Sequence, residues 1–213
     1  MAAIRLRNAL KLAALASFMV VAGNSGAAWA GENGGVQAKI EYCQICHGQS
    51  GQGFYGYYTI PRLAGQQPDY LEAQLRDYAS GRRVNSVMAN VARGVPPGMI
   101  GAIATHFHSM NSPPLGGGSG GNVGLGRQIF ETGLPESNVP ACSACHGPEA
   151  KGTGPIPRLA GQLPSYLVNT LSSWSRNRSR ESAGGLSAIM VPTTHNLTSA
   201  QMSAVAAYVS TLR

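Results

Sequence analysis

Cys43-Gln44-Ile45-Cys46-His47-Gly48 and Cys142-Ser143-Ala144-Cys145-His146-Gly147 are two copies of one pattern, and their reading decides the fold. Each is followed by an identical hexapeptide, Pro61-Arg62-Leu63-Ala64-Gly65-Gln66 and Pro157 to Gln162. Both hexapeptides run on into proline, any residue, tyrosine and leucine, as Pro68-Asp69-Tyr70-Leu71 and Pro164-Ser165-Tyr166-Leu167. The offset is 99 at the cysteines (142 against 43) and 96 at the hexapeptide (157 against 61), so the chain repeats a unit of about a hundred residues with small loop differences.

Between the copies, Asn111-Ser112-Pro113-Pro114-Leu115 and the glycine-rich run Gly116 to Asn122 carry no apolar period and read as a linker over 111–122. The two halves, 31–110 and 123–213, are each small for a self-sufficient hydrophobic core, and a large bound cofactor would supply the missing apolar mass. The expected architecture is all-α. Helices are expected over Val36–Cys46 and Val123–Thr132 ahead of the cysteine motifs. Middle helices are expected over Tyr70–Ala79 and Tyr166–Trp174, with Pro68 and Pro164 in their first turns. Closing helices are expected over Pro97–Met110 and Thr198–Leu212. The last opens on a capping box, Thr198 with Gln201 three residues on, and carries an apolar stripe of Met202, Val205, Val209 and Leu212. No segment alternates as a strand does.

Arg5, Arg7 and Lys11, the apolar run Leu12 to Ala22 and the small-x-small end Ala28-Trp29-Ala30 read as a secretory signal peptide over 1–30. The apolar core falls short of the roughly 20 residues a spanning helix needs. The competing reading is an uncleaved amphipathic anchor. Cleavage takes Lys+Arg from 16 to 13 against 9 Asp+Glu, so the formal charge falls from +7 to +4. Nothing in that balance points to nucleic acid. Only 12% of the residues are charged, so an acid medium would change the surface little.

Four cysteines in an exported chain would ordinarily be disulfides, and paired C-x-x-C also suits zinc or a redox dithiol. The histidine directly after each pair selects c-type haem attachment instead. Cysteines three apart on a helical turn reach the two vinyl groups of one porphyrin as thioethers, and the next residue presents its imidazole to the iron. Cys43 and Cys46 would hold one haem and Cys142 and Cys145 a second, with His47 and His146 as iron ligands. Methionine sulfur is a common sixth ligand. Aligning the halves places Val87-Met88-Ala89-Asn90 against Ile189-Met190-Val191-Pro192, with Val95 matching Leu197 seven residues on. That register selects Met88 and Met190 over Met99, Met110 and Met202, which fall on the closing helices as core filler. His195 aligns with Arg93, and His106 and His108 have no partner histidines, so these three read as surface or structural residues.

Other repeated residues leave alternatives open. The Pro61 and Pro157 carbonyls are placed to accept the proximal histidine N–H, or the prolines are ordinary turn residues. Arg62 and Arg158 either pair with haem propionates or are solvated charges. Tyr70 and Tyr166 pack at a haem edge or in the core.

Taken together, CxxCHG, PRLAGQxPxYL, a matched methionine and a closing helix, all present twice, resemble the c4-type dihaem cytochromes c over essentially the whole mature chain. The resemblance implies two class I cytochrome c domains packed across a pseudo-twofold interface. His47 and Met88 would bind one iron, His146 and Met190 the other. It also implies periplasmic transfer of single electrons from a membrane quinol-oxidising complex or small soluble donor to a terminal oxidase, with peripheral membrane association allowed. Saturated iron fits a carrier that is not itself catalytic, and no distal acid/base site of a haem enzyme is visible. The main alternative is the cytochrome subunit of a larger oxidoreductase, such as a flavocytochrome sulfide dehydrogenase. A gas-sensing module comes third.

Overall fold

The computed structural model describes residues 25–116, 121–178 and 186–213. Most of the expected signal peptide, residues 1–24, and residues 117–120 of the expected linker lie outside them. The chain divides into compact units Met1–Gly35 and Val36–Arg213. Among the described residues there is helix and no strand, and no helix is long and apolar enough to cross a membrane.

The first half contains α1 (Ser25–His47), α2 (Pro68–Ser80), α3 (Ser86–Arg93) and α4 (Ile100–Ser109). The second contains α5 (Val123–Thr132), the single turn α6 (Ser143–His146), α7 (Pro164–Ser172), α8 (Trp174–Asn177), α9 (Leu186–His195) and α10 (Ser199–Thr211). Pro68 and Pro164 occupy first turns, where the missing N–H costs no intrahelical bond. Both halves of the capping box at Thr198 and Gln201 are made.

Several boundaries differ from the sequence-based expectation. The first helix begins at Ser25 rather than Val36, and the glycines at 31, 34 and 35 do not interrupt its backbone. The first closing helix begins at Ile100, because Pro97-Gly98-Met99 turns tightly as a 3-10 element. The second middle helix stops at Ser172 and restarts at Trp174. Two helices were not expected at all, α3 and α9, and these carry Met88 and Met190. Asn85 caps α3 by accepting from the Met88 backbone N–H at 2.9 Å.

Each half builds its own core. In the first, Ile40, Leu71, Val95, Ile100, Ile103, Ala104 and Phe107 pack together. In the second, a larger set centres on Ile129, Phe130, Val139, Val205 and Val209. Phe107 and Phe130 are fully enclosed, each stabilising its half by about 1.5–3 kcal/mol. At the α5/α10 crossing, a Cβ on Gly126 would lie 2.0 Å from the Ala204 carbonyl oxygen, so only glycine permits that approach.

The change of repeat offset has a structural location. The bridge Phe54↔Ile60 closes a five-residue loop, 55–59, whereas Thr153↔Ile156 closes a two-residue loop, 154–155. The three extra residues belong to Phe54-Tyr55-Gly56-Tyr57-Tyr58, an aromatic loop whose Phe54, Tyr57 and Tyr58 rings are exposed.

Candidate functional site

The same local construction surrounds both histidines. The α1 C-terminus ends on His47, and Gly53 N–H returns to its carbonyl at 2.9 Å. Gly152 N–H makes the equivalent 2.9 Å bond to the His146 carbonyl. The hexapeptides are then folded back by paired bonds: Leu63 and Ala64 N–H donate to the Gly51 carbonyl, and Leu159 and Ala160 N–H to Ala150. This brings His47 Nδ1 to 2.8 Å from the Pro61 carbonyl oxygen and His146 Nδ1 to 2.9 Å from that of Pro157. The proline reading of the sequence is thus met in both halves.

A carbonyl only accepts, so Nδ1 carries the proton and Nε2 keeps a free lone pair. Both rings are buried, and burial pushes their pKa below the ordinary imidazole value, partly offset by the proline carbonyl. A neutral, orientation-locked imidazole with an available Nε2 is the form that binds a metal.

No disulfide joins the four cysteines; Cys43 and Cys142 are half-buried, Cys46 and Cys145 exposed. Burial raises the Cys43 thiol and lifts that of Cys142 to about 11. That is the opposite of the lowered pKa of a reactive dithiol. Among the described residues no three His, Cys, Asp or Glu side chains are grouped as a metal cage, which argues against zinc. Two cysteines on one turn, followed by a neutral histidine with Nε2 unused, fit covalent haem c.

Met88 on α3 and Met190 on α9 are both half-buried and match in their surroundings. Val87 and Ile189 just before them are exposed, Ala92 and Thr194 four residues on are buried, and Val95 and Leu197 are each 7% exposed. α3 packs on α2, and α9 on α7 and α8. Met202 is buried in the second core, and Met99 and Met110 pack on the first. His195 is exposed. His108 Nδ1 donates to the Gln66 carbonyl at 2.9 Å, and the His106 ring stands edge-on to Phe107.

The structure extends the reading of the arginines and tyrosines. Arg62 is 4% exposed, so it is not a solvated charge. Its guanidinium donates to the carbonyls of Ala64, Ser112 and Pro113 at 3.0, 2.6 and 3.2 Å. Desolvation, then the charge of Arg158, lowers its pKa to about 10. The Arg158 Nε makes the same bond to Ala160, at 3.0 Å. The phenols of the two tyrosines cross between the halves. Arg178 Nη2 donates to Tyr70 Oη at 2.7 Å and Arg83 Nη2 to Tyr166 Oη at 2.8 Å. Each arginine also lies over an aromatic ring of its own half, Arg83 over Tyr78 at 4.5 Å and Arg178 over Trp174 at 4.6 Å.

The glutamines ending the two hexapeptides escaped sequence reasoning. Gln162 Oε1 accepts from Arg62 N–H at 2.8 Å while its Nε2 donates to the Arg62 carbonyl at 3.0 Å. Gln66 does the same to Arg158, at 2.7 and 3.0 Å. The contact is reciprocal, as a twofold interface requires. The identical hexapeptides were the available signal, but sequence identity did not show that one copy binds the other.

Residues 123–213 match the cytochrome c family model. Cytochrome c-552 of Acidithiobacillus ferridurans is 34% identical over 203 residues, 92% of this chain and 85% of that protein. A thiosulfate dehydrogenase electron acceptor of Thiomonas intermedia is 33% identical, covering 79% of this chain and 77% of its own length. A solved cytochrome c4 of Acidithiobacillus ferrooxidans superposes with a TM-score of 0.68 at 36% identity, covering 81% of this chain and 99% of that one.

Proposed function

This chain belongs to the dihaem cytochrome c4 family, and on that premise we propose that it shuttles single electrons in the periplasm, from a membrane-associated or small soluble donor to a terminal oxidase or comparable acceptor. It is a c4-type electron-transfer protein with two tandem cytochrome c domains and two covalent haem c groups. The duplicated proximal site carries the proposal: two buried neutral histidines, each locked by a proline carbonyl at 2.8 or 2.9 Å directly after a C-x-x-C turn.

In this reading Cys43 and Cys46 hold one haem and Cys142 and Cys145 the other. His47 with Met88, and His146 with Met190, complete the iron coordination. Bound haem supplies a one-electron iron couple. The protein's part is to hold geometry fixed between oxidation states. The proline carbonyls fix the imidazole planes, and Asn85 anchors the helix that carries Met88. With His47 and Met88 holding one haem iron and His146 and Met190 the other, no position would be left for substrate, which fits a carrier rather than a catalyst. The mature chain would run from residue 31 after export, with domains at 31–110 and 123–213 joined by the linker 111–122.

The relationship to a thiosulfate dehydrogenase electron acceptor favours a second reading, in which this chain serves one larger sulfur-oxidising oxidoreductase as its electron-transfer partner. A haem count and spectroscopic redox titration of the mature protein test the first reading. Two low-spin haems with the far-red band of methionine on ferric iron, titrating reversibly without binding carbon monoxide, are expected. A high-spin or carbon monoxide-reactive haem would refute it. Copurification with a dehydrogenase would move the weight to the second reading.

A further inference from the structure

One peptide unit in each half faces two ways. The Pro157–Arg158 peptide accepts the His146 Nδ1–H on its carbonyl at 2.9 Å and donates its N–H to Gln66 Oε1 at 2.7 Å. The Pro61–Arg62 peptide accepts from His47 at 2.8 Å and donates to Gln162 Oε1 at 2.8 Å. The glutamine in each case belongs to the other half. We infer that Gln66 and Gln162 are crossed positioning residues: each sets the reduction potential of the haem in the opposite half, through the peptide that holds that haem's histidine.

The sign follows from polarisation along the chain of hydrogen bonds. An acceptor on a peptide N–H draws electron density toward the carbonyl oxygen, and each bond in such a chain strengthens the next. A more negative Pro157 oxygen takes a stronger bond from His146 Nδ1–H and makes the imidazole a more basic ligand. A more basic ligand favours ferric over ferrous iron and lowers the potential. Both glutamines are buried, 6% and 5% exposed, so water does not replace the lost acceptor freely. The second bond from each glutamine, Nε2 to the arginine carbonyl at 3.0 Å, fixes the amide so that Oε1 faces the N–H.

The inference rests on haem ligation by His47 and His146, and the experiment separates the two. The probe is the holo protein with Gln66→Leu, Gln162→Leu or Gln66→Glu. Each haem is titrated separately and assigned through the paramagnetically shifted methyl resonances of Met88 and Met190. Haem content and the far-red band report ligation independently of potential. Gln66→Leu is expected to raise the potential of the haem on His146 by a three- to tenfold shift in its redox equilibrium, about 30–60 mV for one electron, leaving the haem on His47 in place. Gln162→Leu does the converse. Gln66→Glu keeps an acceptor oxygen and returns the His146 haem to its original potential or below. If Gln66→Leu loosens the fold, Gln66→Glu still reads the direction. Intact haems whose potentials do not move, move equally, or move in the substituted half overturn the inference. Loss of haem or of histidine ligation in the unsubstituted protein overturns the reading beneath it instead.

Discussion

Gly126→Ala is the sharpest test of the packing. On an exposed helix this change would stabilise by about 1 kcal/mol, because alanine forfeits less backbone entropy. Here the new Cβ would stand 2.0 Å from the Ala204 carbonyl oxygen, 2.6 Å from its carbon and 2.9 Å from Tyr208 Cβ. Backbone atoms cannot swing aside as side-chain ends do, so α5 and α10 must separate by more than an ångström. That strips contact from Ile129, Phe130, Val205 and Val209, the centre of the second core. Overpacking of this kind costs about 1–3 kcal/mol, and a backbone clash sits at the upper end. Set against the propensity gain, the net loss is about 2 kcal/mol, or roughly 8–16 °C for a half of this size. Gly124→Ala in the same helix is the control, since the nearest atom to its Cβ is Asn122 Oδ1 at 3.4 Å. Thermal unfolding of the two holo variants, followed by far-ultraviolet circular dichroism, should move in opposite directions. A Gly126→Ala protein that melts at or above the parent refutes the close helix approach.

Thr198→Ala removes the cap on α10 and is expected to cost about 1 kcal/mol in guanidinium unfolding. Asn85→Ala uncaps α3 by a similar amount, and on heating half of the far-red band should vanish earlier than in the parent protein. Tyr70→Phe and Tyr166→Phe each delete a bond from a charged arginine across the halves, worth about 1.5–3 kcal/mol, and denaturant titration of the single and double variants measures the loss. Met88→Ala should open one iron to carbon monoxide while the other keeps its spectrum, which flash photolysis would show.

The local parts of this molecule were legible because their signals are local. The helix expected over Val123–Thr132 has the bounds of α5 in the structure, and Thr198 with Gln201 announces α10. Two C-x-x-C-H motifs specify the cofactor because porphyrin vinyl spacing dictates cysteine spacing. The helices carrying Met88 and Met190 were missed for physical reasons. α3 is only eight residues long, and α9 contains Pro192, which sequence rules place at helix ends. The partners of the repeat's tyrosines were not legible because they lie across the molecule. Tyr70 meets Arg178 and Tyr166 meets Arg83, at separations of 108 and 83 residues, and no periodicity within either half encodes such a meeting.

The reciprocal glutamine bonds join two copies of one motif, as an isologous dimer contact does, yet here the copies share a chain. Two identical subunits must display every surface change twice. A covalent tandem escapes that constraint and also removes the concentration dependence of assembly. The exposed aromatic loop beside the first cysteine motif, reduced to two residues beside the second, is such a one-sided change. Covalent fusion therefore gives this twofold-like framework a front and a back, so that a docking protein can tell its two ends apart.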